Sequence, residues 1–179
     1  MNRRDFIKAS AVFTASIIIP SRTLAKGYEK RLHLYNIHTM EKLNVTYWAG
    51  GQYIYEEIAN IEYLLRDYHN DEVHKIDINL IEYLHDVYTL LDRPGQIYVI
   101  SGYRSPYTNY ILRKRNRGVA KKSFHMKGKA IDIRIPSVHL SSLRYAALSL
   151  RRGGVGYYPR SNFVHIDTGT PRYWRFPKR

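Results

Sequence analysis

Ser123-Phe124-His125-Met126-Lys127-Gly128-Lys129-Ala130-Ile131-Asp132-Ile133-Arg134-Ile135 joins a turn to a strand, and its alternation organises the rest of the reading. From Lys129 to Ile135 apolar residues recur at every second position, the period of a strand with one buried face. Ile131, Ile133 and Ile135 share that face, while Ala130, Asp132 and Arg134 share the other. Phe163-Val164-His165-Ile166-Asp167 alternates in the same way, with Val164 and Ile166 inward and His165 beside Phe163 and Asp167. If these strands are neighbours, Asp132 and His165 stand together on the polar face. His125 precedes Asp132 by seven residues, and Gly128 frees the incoming loop to fold back over the same point. Two imidazoles and a carboxylate form a ligand set that holds a zinc ion and leaves one position open for water. An isolated His or Asp at a strand end is more often simply solvated; matching parity in two motifs is what favours a shared site.

Outward from these strands, Arg31–Ile37 and Lys42–Trp48 alternate apolar and polar residues and predict a β-hairpin, closed by Ala49-Gly50-Gly51. Ile54, Ile58, Ile61, Leu64 and Leu65 predict a helix over Ile54–Tyr68. Asp77 is placed to cap a second helix carrying Ile78, Ile81, Leu84, Val87, Tyr88 and Leu91, stopped by Pro94-Gly95. Gln96–Ser101 is a buried strand. Ser105 before Pro106 fits a cap with proline at the first helical position, opening a helix to about Arg115. A helix over Leu140–Arg152, stopped by Gly153-Gly154, precedes two last strands, Val155–Tyr158 and Phe163–Asp167. The class is α+β: a mostly antiparallel sheet with helices packed on one face and the zinc site on the sheet.

Residues 1–25 are expected to be a signal peptide. Asn2-Arg3-Arg4-Asp5-Phe6-Ile7-Lys8 is a paired-arginine region of the twin-arginine export type, although Sec signals also contain Arg-Arg. An apolar run from Ala9 to Pro20 follows, and Thr23-Leu24-Ala25 supplies the small residues for cleavage after Ala25. A bilayer span takes about 20 residues, more than this run provides. The competing reading is an uncleaved amphipathic start or an N-terminal anchor. Residues 26–179 then form one domain with a net charge of +11, without cysteine. An exported domain without disulfides relies on packing, and any metal must be held by His and carboxylate. No stable membrane insertion is expected after cleavage. Seventeen tyrosines against five phenylalanines suit half-buried surfaces and polymer-binding grooves, though most serve as core and rim.

Ser-x-His-x-x-Gly-x-Ala-x-Asp at Ser123–Asp132 follows Ser101-Gly102-Tyr103-Arg104-Ser105 and precedes a final His-bearing strand. With Val155-Gly156-Tyr157-Tyr158-Pro159, Phe163–Gly169 and Arg172-Tyr173-Trp174, the chain resembles the D-Ala-D-Ala peptidase and hedgehog-like zinc family, in its murein endopeptidase K branch. The similarity runs from about Leu32 to Trp174. The resemblance implies one zinc ion per chain on His125, Asp132 and His165, and amide hydrolysis in peptidoglycan cross-links in the periplasm. The bond is either D-alanyl to diaminopimelate or diaminopimelate to diaminopimelate. It also implies that Arg104 holds a substrate carbonyl or carboxylate, with Tyr103, Ser123 and Tyr157 contacting the stem peptide. Many relatives place a glutamate base three residues before the last His, where this chain has Asn162. Asp167 is the remaining carboxylate on that face, either a catalytic base or a group that orients a ligand imidazole.

His33, His38, His69, His74, His85 and His139 lack a shared face with a carboxylate and read as surface histidines. Arg113-Lys114-Arg115-Asn116-Arg117 and Lys121-Lys122 form a basic run before His125. Such a run is either a solvated loop or a device that concentrates an anionic substrate by long-range attraction. Export ranks nucleic acid last among partners for this basic chain. The alternative to a peptidase is a non-catalytic, zinc-containing wall-binding module.

Overall fold

The N-terminal hairpin forms from β1 (Lys30–Asn36) and β2 (Lys42–Ala49), in a computed structural model that describes residues 28–92, 95–115 and 118–176. The expected signal peptide and Pro94 lie outside the described residues. Then come β3 (Gln52–Tyr53), α1 (Tyr55–Leu64), α2 (Ile78–Leu90), β4 (Ile97–Ser101) and α3 (Pro106–Arg115). A 3-10 turn at Phe124–Lys127 leads into β5 (Ala130–Arg134), followed by α4 (Leu140–Leu150), β6 (Gly154–Tyr158), β7 (Phe163–Asp167) and β8 (Arg172–Arg175).

The fold is α+β. One eight-stranded sheet runs in the order β3-β2-β1-β4-β5-β7-β6-β8. Neighbours are antiparallel except for the parallel pairs β1–β4 and β6–β8. Alternation decides its two faces. Leu32, Leu34, Val45, Tyr47, Ile97, Val99, Ile131, Ile133, Val164 and Ile166 are all buried in one cluster. Ile58 and Ile61 of α1, Leu80 and Leu84 of α2, and Leu143 and Ala147 of α4 join that cluster. A fully buried aliphatic side chain contributes about 1.5–3 kcal/mol, so this layer supplies the main driving force for folding.

Both predicted caps form. Asp77 accepts from Asn79 N at 2.9 Å, and Ser105 Oγ accepts from Thr108 N at 3.1 Å. The structure differs from expectation in several places. Gly50-Gly51 does not close the β1–β2 hairpin, whose turn lies between Asn36 and Lys42, but turns β2 into the short β3. α1 stops at Leu64 instead of Tyr68, because the next residues bond elsewhere. The Leu65 carbonyl accepts from Tyr103 N at 2.7 Å, and buried Asp67 accepts from Ser105 N at 2.8 Å. Arg172–Arg175 forms an unexpected last strand, drawn into the sheet by its parallel pairing with β6. His85 is not a surface residue: α2 presses it to 1% exposure, edge-on to the Tyr47 ring, and burial pushes its pKa down.

Candidate metal centre

The antiparallel register of β5 and β7 sets Asp132 opposite His165 and Ala130 opposite Asp167. On the far side of β7, β6 brings Gly156 opposite His165 and Gly154 opposite Asp167. β8 extends both rows, with Trp174 beside Gly156 and Arg172 beside Gly154. The polar face therefore carries two rows across four strands: Asp132–His165–Gly156–Trp174 and Ala130–Asp167–Gly154–Arg172. The two glycines let β8 reach over β6. A Cβ at Gly156 would lie 2.6 Å from the Trp174 ring, and one at Gly154 would lie 2.5 Å from the Arg172 guanidinium and the Asp167 carboxylate.

His125 arrives from above the rows on the 3-10 turn. Ser123 caps that turn, its Oγ accepting from His125 N at 3.3 Å. Gly128 ends it in the left-handed region at φ 62°, where a Cβ would meet the Lys75 carbonyl at 2.0 Å. Glycine is required there on both counts. The turn is also fastened to the loop after β4. His125 Nδ1–H donates to the Gly102 carbonyl at 2.7 Å, and Arg104 N donates to the His125 carbonyl at 3.3 Å.

Those bonds settle which ring atoms face inward. With Nδ1 occupied, His125 turns Nε2 toward the centre. His165 donates Nε2–H to Asp167 Oδ2 at 3.0 Å and turns Nδ1 inward. His125 Nε2 and His165 Nδ1 are 3.2 Å apart, and they lie 3.4 and 2.8 Å from Asp132 Oδ1. Ligands about 2.0–2.1 Å from a tetrahedral zinc ion stand about 3.3–3.4 Å from one another. The residues present thus fit such an ion in donor type, separation and tautomer. All three are at least nine-tenths buried.

The electrostatics match a site built for a cation. Burial would raise the Asp132 pKa, yet the two imidazoles hold it well below the usual carboxylate range. Burial also disfavours a charged His165, but hydrogen bonds to Asp132 and Asp167 outweigh it and push its pKa up to about 9. His125 goes the other way: burial lowers its pKa despite the pull of Asp132.

Asp167 is fully buried and its lone pairs are taken. Oδ1 accepts from Gly154 N, Gly169 N and Arg172 Nη1 at 3.2, 2.8 and 3.0 Å. Oδ2 accepts from His165 Nε2 and Arg172 Nη2 at 3.0 and 2.7 Å. These partners hold its pKa below the carboxylate range against the opposing effect of burial.

The centre opens into a cleft of about 320 Å³ whose wall includes Arg104, Lys122, Ser123, Tyr158, Phe163 and Trp174. Arg104 Nη2 donates to Ser101 Oγ at 3.2 Å. Two residues named from the motifs do not reach the cleft. Tyr103 is buried, its hydroxyl donating to Glu72 at 2.6 Å and its ring stacked on His74. Tyr157 pairs with Val164 and lies on the core face, with the Arg144 guanidinium 4.7 Å from its ring. Asn162 is exposed on the β6–β7 turn, at φ 54°.

Sequence reasoning missed Tyr158, Trp174 and Arg172 as parts of the site. Tyr158 stacks on Phe163 at 4.4 Å and accepts from Trp174 Nε1 at 2.9 Å. Trp174 packs against His165 with ring centres 5.2 Å apart. The signal for Tyr158 was its parity: Val155 on the core face sends residue 158 to the other.

The family profile of the peptidoglycan L,D-endopeptidase MepK matches residues 25–174. Peptidoglycan L,D-endopeptidase MepK of Escherichia coli K12 is 46% identical over 97% of both chains, as is its counterpart in Shigella flexneri. A probable peptidoglycan L,D-endopeptidase MepK of Haemophilus influenzae is 40% identical over 97% of this chain and 96% of its own. No solved structure matches.

Proposed function

This chain belongs to the peptidoglycan L,D-endopeptidase MepK family, and from that premise we propose that it is a zinc-dependent hydrolase of peptide cross-links in peptidoglycan. The reading places a single peptidase domain at residues 26–179, released into the periplasm after export through the twin-arginine route. Of the two bonds considered, the diaminopimelate-to-diaminopimelate linkage is the L,D one, and it is the bond proposed here. The observation that carries the proposal is the convergence of His125 Nε2, His165 Nδ1 and Asp132 Oδ1 at the cleft floor.

Zinc held by these three would polarise the scissile carbonyl and draw the pKa of a coordinated water toward neutrality. The chain's own groups do the rest. The Arg104 guanidinium, on the cleft wall, is available to hold a stem-peptide carboxylate with paired hydrogen bonds. The aromatic wall of Tyr158, Phe163 and Trp174 lowers the water content beside the reacting bond. Asp167 takes the orienting role, not that of base: five hydrogen bonds fill its oxygens, and the bond to Nε2 keeps His165 Nδ1 aimed at the ion.

Those filled oxygens also favour a second reading. The cleft carboxylates are Asp132 and Asp167, one a ligand and one fully bonded, which suits a zinc-containing wall-binding module without turnover. Digestion of purified sacculi separates the two, comparing as-isolated, chelator-treated and zinc-restored protein by fragment mass. Cross-linked dimers that disappear, survive with chelator and disappear again with zinc establish the peptidase and name its bond. Stoichiometric zinc with sacculus binding and no soluble fragments overturns it in favour of the module.

A further inference from the structure

Charge is divided sharply along this chain. Residues 1–92 hold 13 Asp and Glu against 10 Lys and Arg, whereas residues 93–179 hold 19 Lys and Arg against two carboxylates. Those two are Asp132 and Asp167, both enclosed in the metal centre. The second half of the chain therefore offers solvent no acidic side chain. Among its described cations, Lys129, Arg152 and Arg172 form ion pairs, with Asp77, Asp86 and Asp167. Arg104, Arg134 and Arg144 are half-buried, Arg104 on Ser101 and the other two over tyrosine rings, whereas Arg113, Lys114, Arg115, Lys121, Lys122 and Lys127 are exposed.

α3 concentrates this surface and adds aromatic rings to it. Tyr107 and Tyr110 are 70% and 49% exposed, and Lys114 Nζ sits 4.6 Å from the Tyr110 ring centre. Positions 107, 110 and 114 recur at helical spacing and share one outward face. Thr108 and Asn109 bury the opposite one. Arg113, Lys114 and Arg115 complete the last turn. Cations there are favoured by the helix dipole alone, but the dipole gives no reason for two exposed tyrosines beside them.

The first turn of the helix is tied to the cleft. Its cap, Ser105, follows Arg104 directly, and Asn109 Nδ2 donates at 3.2 Å to the carbonyl of Ala120, which lines the cleft. We propose that the exposed face of α3 is a second binding site, outside the cleft, for a peptidoglycan strand. Tyr107 and Tyr110 take the flat faces of the polymer, and Arg113, Lys114 and Arg115 take its carboxylates. The choice of polymer rests on the function proposed above. An anionic lipid surface has the same charge, but this face lacks the continuous apolar strip that inserts among acyl chains: its rings are tyrosines, and Ile111 and Leu112 are half-buried.

The test compares the full mature protein with Tyr107→Ser/Tyr110→Ser and Lys114→Gln forms. Tyr145→Ser serves as control, because Tyr145 is 61% exposed and stacked under Arg144 but lies on α4. Each is assayed for sedimentation with intact sacculi in chelator and with vesicles of anionic phospholipid, for cleavage of sacculi, and for cleavage of a small soluble cross-linked fragment. The α3 variants should bind and cleave sacculi about tenfold less well, as expected on loss of one of two linked contacts. Their rate on the small fragment and the behaviour of Tyr145→Ser should not change. Undiminished sacculus binding by the α3 variants overturns the proposal, and so does an equal loss on the small fragment. A loss confined to vesicles of anionic phospholipid overturns it in favour of a membrane. Wild-type protein that cleaves neither substrate overturns the peptidase itself, a result distinct from all of these.

Discussion

At the residue scale the informative comparison is between Asp132 and Asp167, two buried aspartates on one face that the fold treats differently. Asp132 turns one oxygen to two imidazole nitrogens whose only other neighbour is each other, an arrangement suited to closing on an ion. Asp167 is saturated, and two of its five bonds come from a guanidinium. Parity placed both on the polar face, and it left the role of Asp167 open because saturation depends on Arg172, Gly154 and Gly169. Pairing of the last two strands brings Gly154 opposite Asp167, but the bonds from Gly169 and Arg172 depend on the turn into β8, which has no alternation to announce it. Asp167→Asn tests the orienting role. Asparagine keeps an oxygen for His165 but cannot hold Arg172 as a carboxylate does, so the His165 ring loses its anchor. The variant should keep its fold by circular dichroism and bind zinc about 10–100-fold more weakly in chelator competition. Unchanged zinc affinity with abolished turnover would instead make Asp167 the base.

At the scale of elements, strands with one buried face were legible and the last strand was not. β5 and β7 carry isoleucine and valine at every second position, so their faces followed from sequence. Arg172–Arg175 has four residues, three of them exposed, and no buried alternation to give it away. It is a strand because β6 offers a free edge, and because Gly154 and Gly156 let its side chains lie flat across that strand. The glycines were visible, but Gly153-Gly154 was read as the stop of α4, since a helix end and a close approach use the same residue. The helix α1 was overextended for a related reason: Leu65 and Asp67 fit its pattern, yet distant partners claim their backbone and side chain. Gly156→Ala tests the close approach. Its methyl group collides with the Trp174 ring, at a cost of about 1–3 kcal/mol if the neighbours shift to accept it. Thermal unfolding should register that loss, and tryptophan fluorescence should show Trp174 more exposed to solvent. Activity should fall further than stability, because Trp174 packs on His165. A variant with wild-type melting and fluorescence would mean that β8 is not held as described.

For the whole molecule, the sheet divides labour between its faces. One face is a hydrophobic layer under α1, α2 and α4; the other gathers both carboxylates of the second half into the candidate metal centre. Net charge was legible from composition, but its meaning was not, because a count does not say which surface carries it. Arg104 and Lys122 stand in the cleft wall, so positive charge lies at the site opening, where it attracts anionic ligands. An anionic polymer should therefore arrive faster than an uncharged one, and salt should erase the difference. At 0.1 M ionic strength the screening length is about 10 Å, so rim charges act at the mouth of the cleft and not across the molecule. Lys121→Gln/Lys122→Gln should lower the apparent affinity for sacculi severalfold at low ionic strength and leave it nearly unchanged at high ionic strength. The hydrolysis rate at saturating substrate should stay the same, since neither lysine is among the ligands. Binding curves at two salt concentrations decide the point: a deficit that persists in high salt would assign Lys122 a direct contact, and no deficit at low salt would reduce this loop to a solvated one.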